Sequence, residues 1–206
     1  YLIIQDRPVL YYSLKEFEDS AVDEIVLVVG KGEEEFCRRE IVDKYGISKV
    51  KAIVEGGKER YHSVFEGLKQ TSDADYVLIH DGARPFVNQD IIRRCMQEVQ
   101  KYQACVVGMP VKDTIKIADE EGYAKQTPDR KNVWMIQTPQ TFSYALIYEA
   151  YEEMLKTEDT AITDDAMVLE RIKGKKSKLI EGSYRNIKIT TPEDLLIANV
   201  YLQHPE

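Results

Sequence analysis

Several segments of the 206-residue chain carry side chains suited to binding phosphates and a flat ring. In Gly56-Gly57-Lys58-Glu59-Arg60-Tyr61-His62-Ser63, paired glycines follow an apolar run. Glycines there let the backbone approach a planar ligand, and Arg60 and Ser63 lie one helical turn apart, so such a turn can read the edge of a base. In His80-Asp81-Gly82-Ala83-Arg84-Pro85, Asp81 follows a second apolar run, where a carboxylate can meet a metal-bound polyphosphate. Thr138, Thr163 and Lys188 fall at predicted ends of strands or starts of helices, so hydroxyls, amides and an ammonium could converge on one phosphate. Structural readings are open for the same residues. The glycine segment could be a plain strand-to-helix turn, Asp81 could cap a turn and pair with Arg84, Thr163 could cap a helix, and Lys188 could be a surface lysine. His80 reads as a core histidine.

The elements that must position these residues follow from periodicity. β-Branched runs alternate with helical patterns: Ile25 to Val29 then Glu33 to Tyr45, and Val50 to Val54 then Arg60 to Gln70. Tyr76 to Ile79 precedes a helix over Gln89 to Lys101 with Asn88 as its N-cap, and Ala104 to Met109 is a further strand. This order predicts one α/β domain over residues 1–206, a mostly parallel Rossmann-like sheet with helices on both faces. Ligands of open parallel sheets bind beyond the carboxyl ends of the strands, so post-strand residues matter most. Tyr11, Tyr12 and Phe17 lie at helical spacing and read as core.

Residues 110–130 depart from the pattern. Polar stretches at Thr114 to Ala118 and Tyr123 to Thr127, joined by Asp119-Glu120-Glu121-Gly122, predict a protruding β-hairpin arm. An isolated hairpin is marginal in water, so the arm is expected to pack on the same arm of a second subunit in a two-fold dimer. Beyond it we expect a strand near Val133 to Ile136, helices over Ser143 to Leu155 and Asp164 to Ile172, and a strand through Asn186 to Ile189. Thr191-Pro192-Glu193-Asp194 opens the last helix, with a threonine cap, proline in the first turn and acids near its positive end.

Composition excludes other classes. A net charge of -8 repels nucleic acid, yet a few cations in one cleft can still bind a small anion. Cys37, Cys95 and Cys105 form no C-x-x-C pair and read as free thiols of a reducing cytoplasm. No apolar run is long enough to span a bilayer, which argues for a cytoplasmic protein without membrane contacts. There is no G-x-G-x-x-G after a strand and no P-loop, and Gly30-Lys31-Gly32 is only a turn. His62, His80 and His204 lack metal-ligand spacing, and no G-x-S-x-G marks a serine nucleophile.

Taken in order, the glycine segment, His80 to Pro85, Pro110 to Thr114, Thr138-Pro139-Gln140, Ile162 to Asp165 and Asn186 to Asp194 closely resemble the 2-C-methyl-D-erythritol 4-phosphate cytidylyltransferase family. The resemblance covers Tyr1 to about Leu202. It implies transfer of a cytidylyl group from CTP to a polyol phosphate with release of diphosphate, assisted by Mg²⁺. It assigns Gly56, Gly57, Lys58, Arg60, Ser63, Asp81 and Ala83 to the CTP side, with Gly57 and Ser63 at cytosine, Arg60 supporting the loop and Ala83 at the ribose. Asp81, Arg84, Thr114, Arg130, Thr138, Thr163 and Lys188 fall on the acceptor side, Thr114 and Arg130 being donated by the neighbouring subunit's arm. Asp81, Lys188 and Arg130 are the implied catalytic residues, and Asp81 the implied contact to Mg²⁺, mainly through the triphosphate. Lys58 stands where some relatives carry an acidic residue. The family also has a first, central strand and a glycine-rich loop ahead of the position matching Tyr1. The Arg and Lys of that loop are expected to stabilise the transition state, and loss of the strand would leave unpaired edges on both its neighbours. A ribitol 5-phosphate cytidylyltransferase has a similar overall pattern. A non-catalytic nucleotide- or sugar-phosphate-binding dimer is the alternative of another class.

Overall fold

The computed structural model describes residues 1–157 and 161–204. A short antiparallel pair, β1 (Ile3–Ile4) and β2 (Arg7–Pro8), leads into α1 (Val9–Glu18). Next come β3 (Ile25–Val29), α2 (Glu34–Cys37) continued by π-helical Arg38–Asp43, and β4 (Val50–Glu55). These are followed by α3 (Arg60–Leu68), β5 (Tyr76–Ile79), α4 (Gln89–Tyr102) and β6 (Ala104–Pro110). The arm consists of β7 (Ile117–Ala118) and β8 (Ala124–Gln126), and a 3-10 turn at Arg130–Asn132 leads back into β9 (Trp134–Ser143). The chain continues through α5 (Tyr144–Met154), α6 (Asp165–Lys173), β10 (Lys178–Glu181) and α7 (Pro192–Gln203).

The α/β layering follows from strand alternation. Val77, Ala104, Val106 and Phe142 point to one face, against α3, α5 and α6. Their neighbours Leu78, Val107 and Ile180 point to the other, against α4 and Phe17 of α1. The sheet is nevertheless less uniform than expected. Four strands run in the order β10-β6-β9-β5, and β3 and β4 form a separate parallel pair. β10 and β6 are parallel, whereas β9 is antiparallel to both its neighbours. Between β3 and the outer edge of β5 lies a cleft of about 730 Å³ walled by α1, α3 and α4.

Two strand expectations need correction. The strand placed at Val133 to Ile136 is β9, and it runs on to Ser143 through Pro139. It can do so because its ladder with β6 is broken there. Val106 pairs with Gln140 and Gly108 with Ile136, so Val107 alone faces Gln137-Thr138-Pro139. In such a bulge Pro139 needs no ladder N–H, and Thr138 is turned out of register. The second correction is Asn186 to Ile189, which forms no strand. β10 already occupies the edge beside β6, with Lys178 opposite Cys105 and Glu181 opposite Gly108. The Asn186–Ile189 segment is instead held extended by other contacts. Its Asn186 Nδ2 donates to Thr138 O at 2.9 Å, and the Ile189 amide donates to Ala83 O at 2.8 Å. Asn186 and Ile189 are buried, the latter with Ile4, Val9 and Ala198, so Lys188 between them faces outward.

The arm strands are shorter than expected and exposed throughout, with Tyr123 70% accessible and Ile117 46%. Cys37, Cys95 and Cys105 are buried free thiols, and burial pushes Cys95 up to about 12. Among the described residues no helix is long and apolar enough to cross a membrane. Tyr11 and Tyr12 are only half-buried, whereas Phe17 belongs to the core as expected.

Helix α4 buries Ile91, Ile92, Cys95 and Val99, and its start is fixed by Asn88, whose side chain accepts from the Ile91 amide at 3.0 Å. Replacing Asn88 with alanine removes that acceptor and should lower stability by about 1 kcal/mol. Urea unfolding should show this as a reduced midpoint with an unchanged slope.

Candidate active site

Asp81 leaves the end of β5 and is held from behind. Its amide donates to Thr138 Oγ1 at 3.1 Å, and the same hydroxyl lies 3.0 Å from His80 Nδ1. His80 Nε2 in turn lies 3.0 Å from Arg84 O. A carbonyl can only accept, so Nε2 carries the ring proton and Nδ1 accepts from Thr138. His80 therefore acts as a spacer between the Asp81 loop and β9, and burial pushes its pKa down to about 4. Thr138, 4% exposed and not at a strand end, has its hydroxyl committed to this arrangement.

The carboxylate of Asp81 gathers three cations. Arg60 Nε lies 3.1 Å from Oδ1, Lys188 Nζ 3.0 Å from Oδ2, and Arg84 Nε 3.8 Å from Oδ2. Burial by itself would raise the Asp81 pKa, but Arg60 and then Lys188 outweigh it and hold the carboxyl below its ordinary value. Arg84 is partly buried, and the loss of solvent lowers its pKa; its Nη1 donates to Asn186 O at 2.8 Å. Arg60 is also bound by Asp165, with Nη1–Oδ1 and Nη2–Oδ2 both at 2.8 Å. Burial opposes the Arg60 charge, yet Asp165 and Asp81 raise its pKa overall. Three cations thus face two carboxylates at one rim, a local positive excess on a chain of net charge -8.

The glycine turn adjoins this cluster through Arg60, the first residue of α3. A Cβ on Gly57 would fall 2.3 Å from His62 Cβ, which leaves room only for glycine, and one on Gly56 would fall 2.6 Å from Ser63 Oγ and displace that hydroxyl. Ser63 Oγ accepts from the Gly57 amide at 3.1 Å and so shapes the turn itself. Lys58 is exposed beside it. Arg60, Ser63, His80 and Asp81 line one end of the cleft between β3 and β5.

Thr163 is exposed just ahead of α6, but it is not the cap; Asp164 is, accepting from the Met167 amide at 2.8 Å. Among the described residues Thr163 is linked to the cluster through Asp165, two residues on. Thr114 and Arg130 lie apart on the exposed arm. Arg130 Nη1 donates to Lys112 O at 2.8 Å, and among the described residues neither Thr114 nor Arg130 contacts Asp81, Arg84 or Lys188. The residues missed from the sequence are buried polar ones. Gln140, 1% exposed, bridges Asp164 and the Ala166 amide, Asn186 ties β9 to the Lys188 segment, and Tyr151 donates to Asp165 at 2.6 Å. Gln140 and Asn186 stand among other polar residues and Tyr151 between glutamates, so no local pattern marked them for burial.

A cationic rim beside a glycine turn, at the strand ends of an α/β fold, defines an enzyme that handles phosphorylated ligands. Residues 1–204 match the family described as IspD: 2-C-methyl-D-erythritol 4-phosphate cytidylyltransferase. The chain belongs to that family. It is 52% identical over 205 residues to the 2-C-methyl-D-erythritol 4-phosphate cytidylyltransferase of Lachnospira eligens, covering 98% of this chain and 90% of that protein. The enzyme of the same name from Lachnoclostridium phytofermentans is 48% identical over 203 residues, 98% of this chain and 87% of the other. The crystal structure of the 4-diphosphocytidyl-2C-methyl-D-erythritol synthase of Anaerococcus prevotii superimposes with a TM-score of 0.91 at 38% identity, covering 99% of this chain and 89% of that one. That of the Thermus thermophilus cytidylyltransferase gives 0.83 at 32%, covering 98% and 93%.

The neutral His80 has a consequence for stability. Its folded pKa of about 4 lies below the ordinary 6.5, so in the range between them the unfolded chain binds the extra proton. That stabilisation is complete above pH 6.5 and is lost as the pH falls toward 4. Wild-type protein should therefore lose on the order of 1 to 3 kcal/mol from this group over that range, and a His80→Gln variant should not. Urea midpoints measured at several pH values across the interval test this; parallel losses in both proteins would contradict it.

Proposed function

We propose that the chain acts as one domain that transfers CMP from CTP to 2-C-methyl-D-erythritol 4-phosphate. An oxygen of the acceptor phosphate attacks the α-phosphorus in line; the new P–O bond forms as the bond to the β-phosphate oxygen breaks, and diphosphate leaves with that electron pair. Both reactants are anions, so positioning and charge neutralisation carry most of the benefit. The observation that supports this most directly is the meeting of Arg60, Arg84 and Lys188 around Asp81.

In this reading Gly56, Gly57, Lys58, Arg60, Ser63, Asp81 and Ala83 form the CTP side. Arg84, Thr163 and Lys188 meet the acceptor, while Thr138 contributes by holding the Asp81 loop. Thr114 and Arg130 reach the acceptor of a second subunit from the arm, whose exposed Ile115, Ile117 and Tyr123 suit burial against a partner. Among the described residues no group of three His, Cys, Asp or Glu is arranged to hold a metal. Both oxygens of Asp81 are engaged by Arg60 and Lys188, so a Mg²⁺ at this rim would be held mainly by phosphate oxygens and water, and it would neutralise charge on the triphosphate and its leaving group.

Lys188→Ala and Arg130→Ala should each lower kcat/KM for the acceptor by roughly ten- to a thousandfold, the effect of losing a charged contact. Steady-state assays with 2-C-methyl-D-erythritol 4-phosphate and, in parallel, ribitol 5-phosphate test both the roles and the acceptor. Mixing the two variants should restore part of the activity, because a mixed dimer contains one site with both residues. No recovery would remove the arm from the site.

A further inference from the structure

We infer that Asp165 and Tyr151 are positioning residues for the nucleotide side of the site, acting through Arg60. The inference rests on the reading that Arg60 borders bound CTP. Arg60 begins α3, whereas its clamp comes from α6 and α5, 105 and 91 positions along the chain. Both Asp165 and Tyr151 are 0% exposed, and both oxygens of Asp165 are taken by the two ends of the guanidinium. Tyr151 Oη adds a third hydrogen bond, to Oδ1 at 2.6 Å. Burial, and then the charge of Asp165, raise the Tyr151 pKa, which keeps this hydroxyl a donor.

A guanidinium has five N–H donors in one plane. Three are engaged here, one with Asp81 and two with Asp165. A bidentate carboxylate fixes the orientation of that plane as well as its position, which a single contact does not. A buried pair of this kind contributes little net stability relative to apolar packing, so its main yield is direction. Asp165 also shares the first turn of α6 with the Asp164 cap, itself fixed by Gln140. The clamp is therefore anchored to β9 through Gln140, on elements separate from the glycine turn.

The test is a kinetic double-mutant cycle. Tyr151→Phe keeps the ring that stacks on Phe65 and removes only the hydroxyl, and its melting curve reports whether the fold is intact. It should raise KM for CTP about three- to tenfold while leaving KM for the acceptor within about twofold, the effect of one lost hydrogen bond. In an Arg60→Lys background, where the two-pronged contact is already gone, the same change should alter KM for CTP by less than about twofold. Asp165→Asn should behave likewise with a larger first effect. Equal rises in both backgrounds, or an equal rise for the acceptor, would show that Tyr151 and Asp165 serve only the core. If Arg60→Lys raises KM for CTP but Tyr151→Phe does not, the positioning role alone falls. If Arg60→Lys leaves CTP kinetics unchanged, the nucleotide assignment of Arg60 falls and takes the inference with it.

Discussion

The carboxylate of Asp81 has two oxygens and three cationic neighbours, and the geometry of the rim follows from how they are shared. Arg60 and Lys188 occupy separate oxygens at hydrogen-bond distance, and Arg84 stands slightly farther off. Without Asp81 these cations would repel one another in a half-buried pocket; with it they are held close and still carry a positive excess. An anion of several charges entering such a site meets groups already oriented toward it. Little reorganisation is then required at the moment of reaction, which is the main source of electrostatic catalysis.

Backbone irregularity makes this sharing possible. The β5–β9 register, continued two residues past Ile79 and Gln140, sets Thr138 opposite Asp81, where its hydroxyl supports the Asp81 amide while the bulge interrupts only the ladder with β6. A regular strand at Asn186–Ile189 would compete with β10 for the edge of β6. Held extended by Asn186 and by the Ala83 carbonyl, the segment instead delivers Lys188 to Asp81. Both departures lie next to the proposed chemistry, where local rules are most often overridden by tertiary demands.

Much of the fold was legible beforehand. β3 and β5 end where periodicity placed them, and Asn88 and Thr191 cap the helices assigned to them. The segments around Gly57, Asp81 and Lys188 were singled out by composition at predicted strand ends. β10 escaped notice because Lys178–Glu181 follows a lysine-rich stretch with no clear alternation. The continuation of β9 escaped because proline ordinarily ends a strand, and only a partner strand with a matching gap tolerates it.

Hydrophobic period, caps and turn residues act over a few positions, so the sequence by itself determined the elements, their order and which polar residues follow each strand. It could not determine which of those residues meet. The Arg60–Asp165 pair spans 105 positions, and Asp81–Lys188 depends on a segment that pairs with no strand. Such contacts are set by strand order and by helix packing on each face, which sum many weak interactions over the whole chain. Only the tertiary structure decided that one carboxylate would hold three cations.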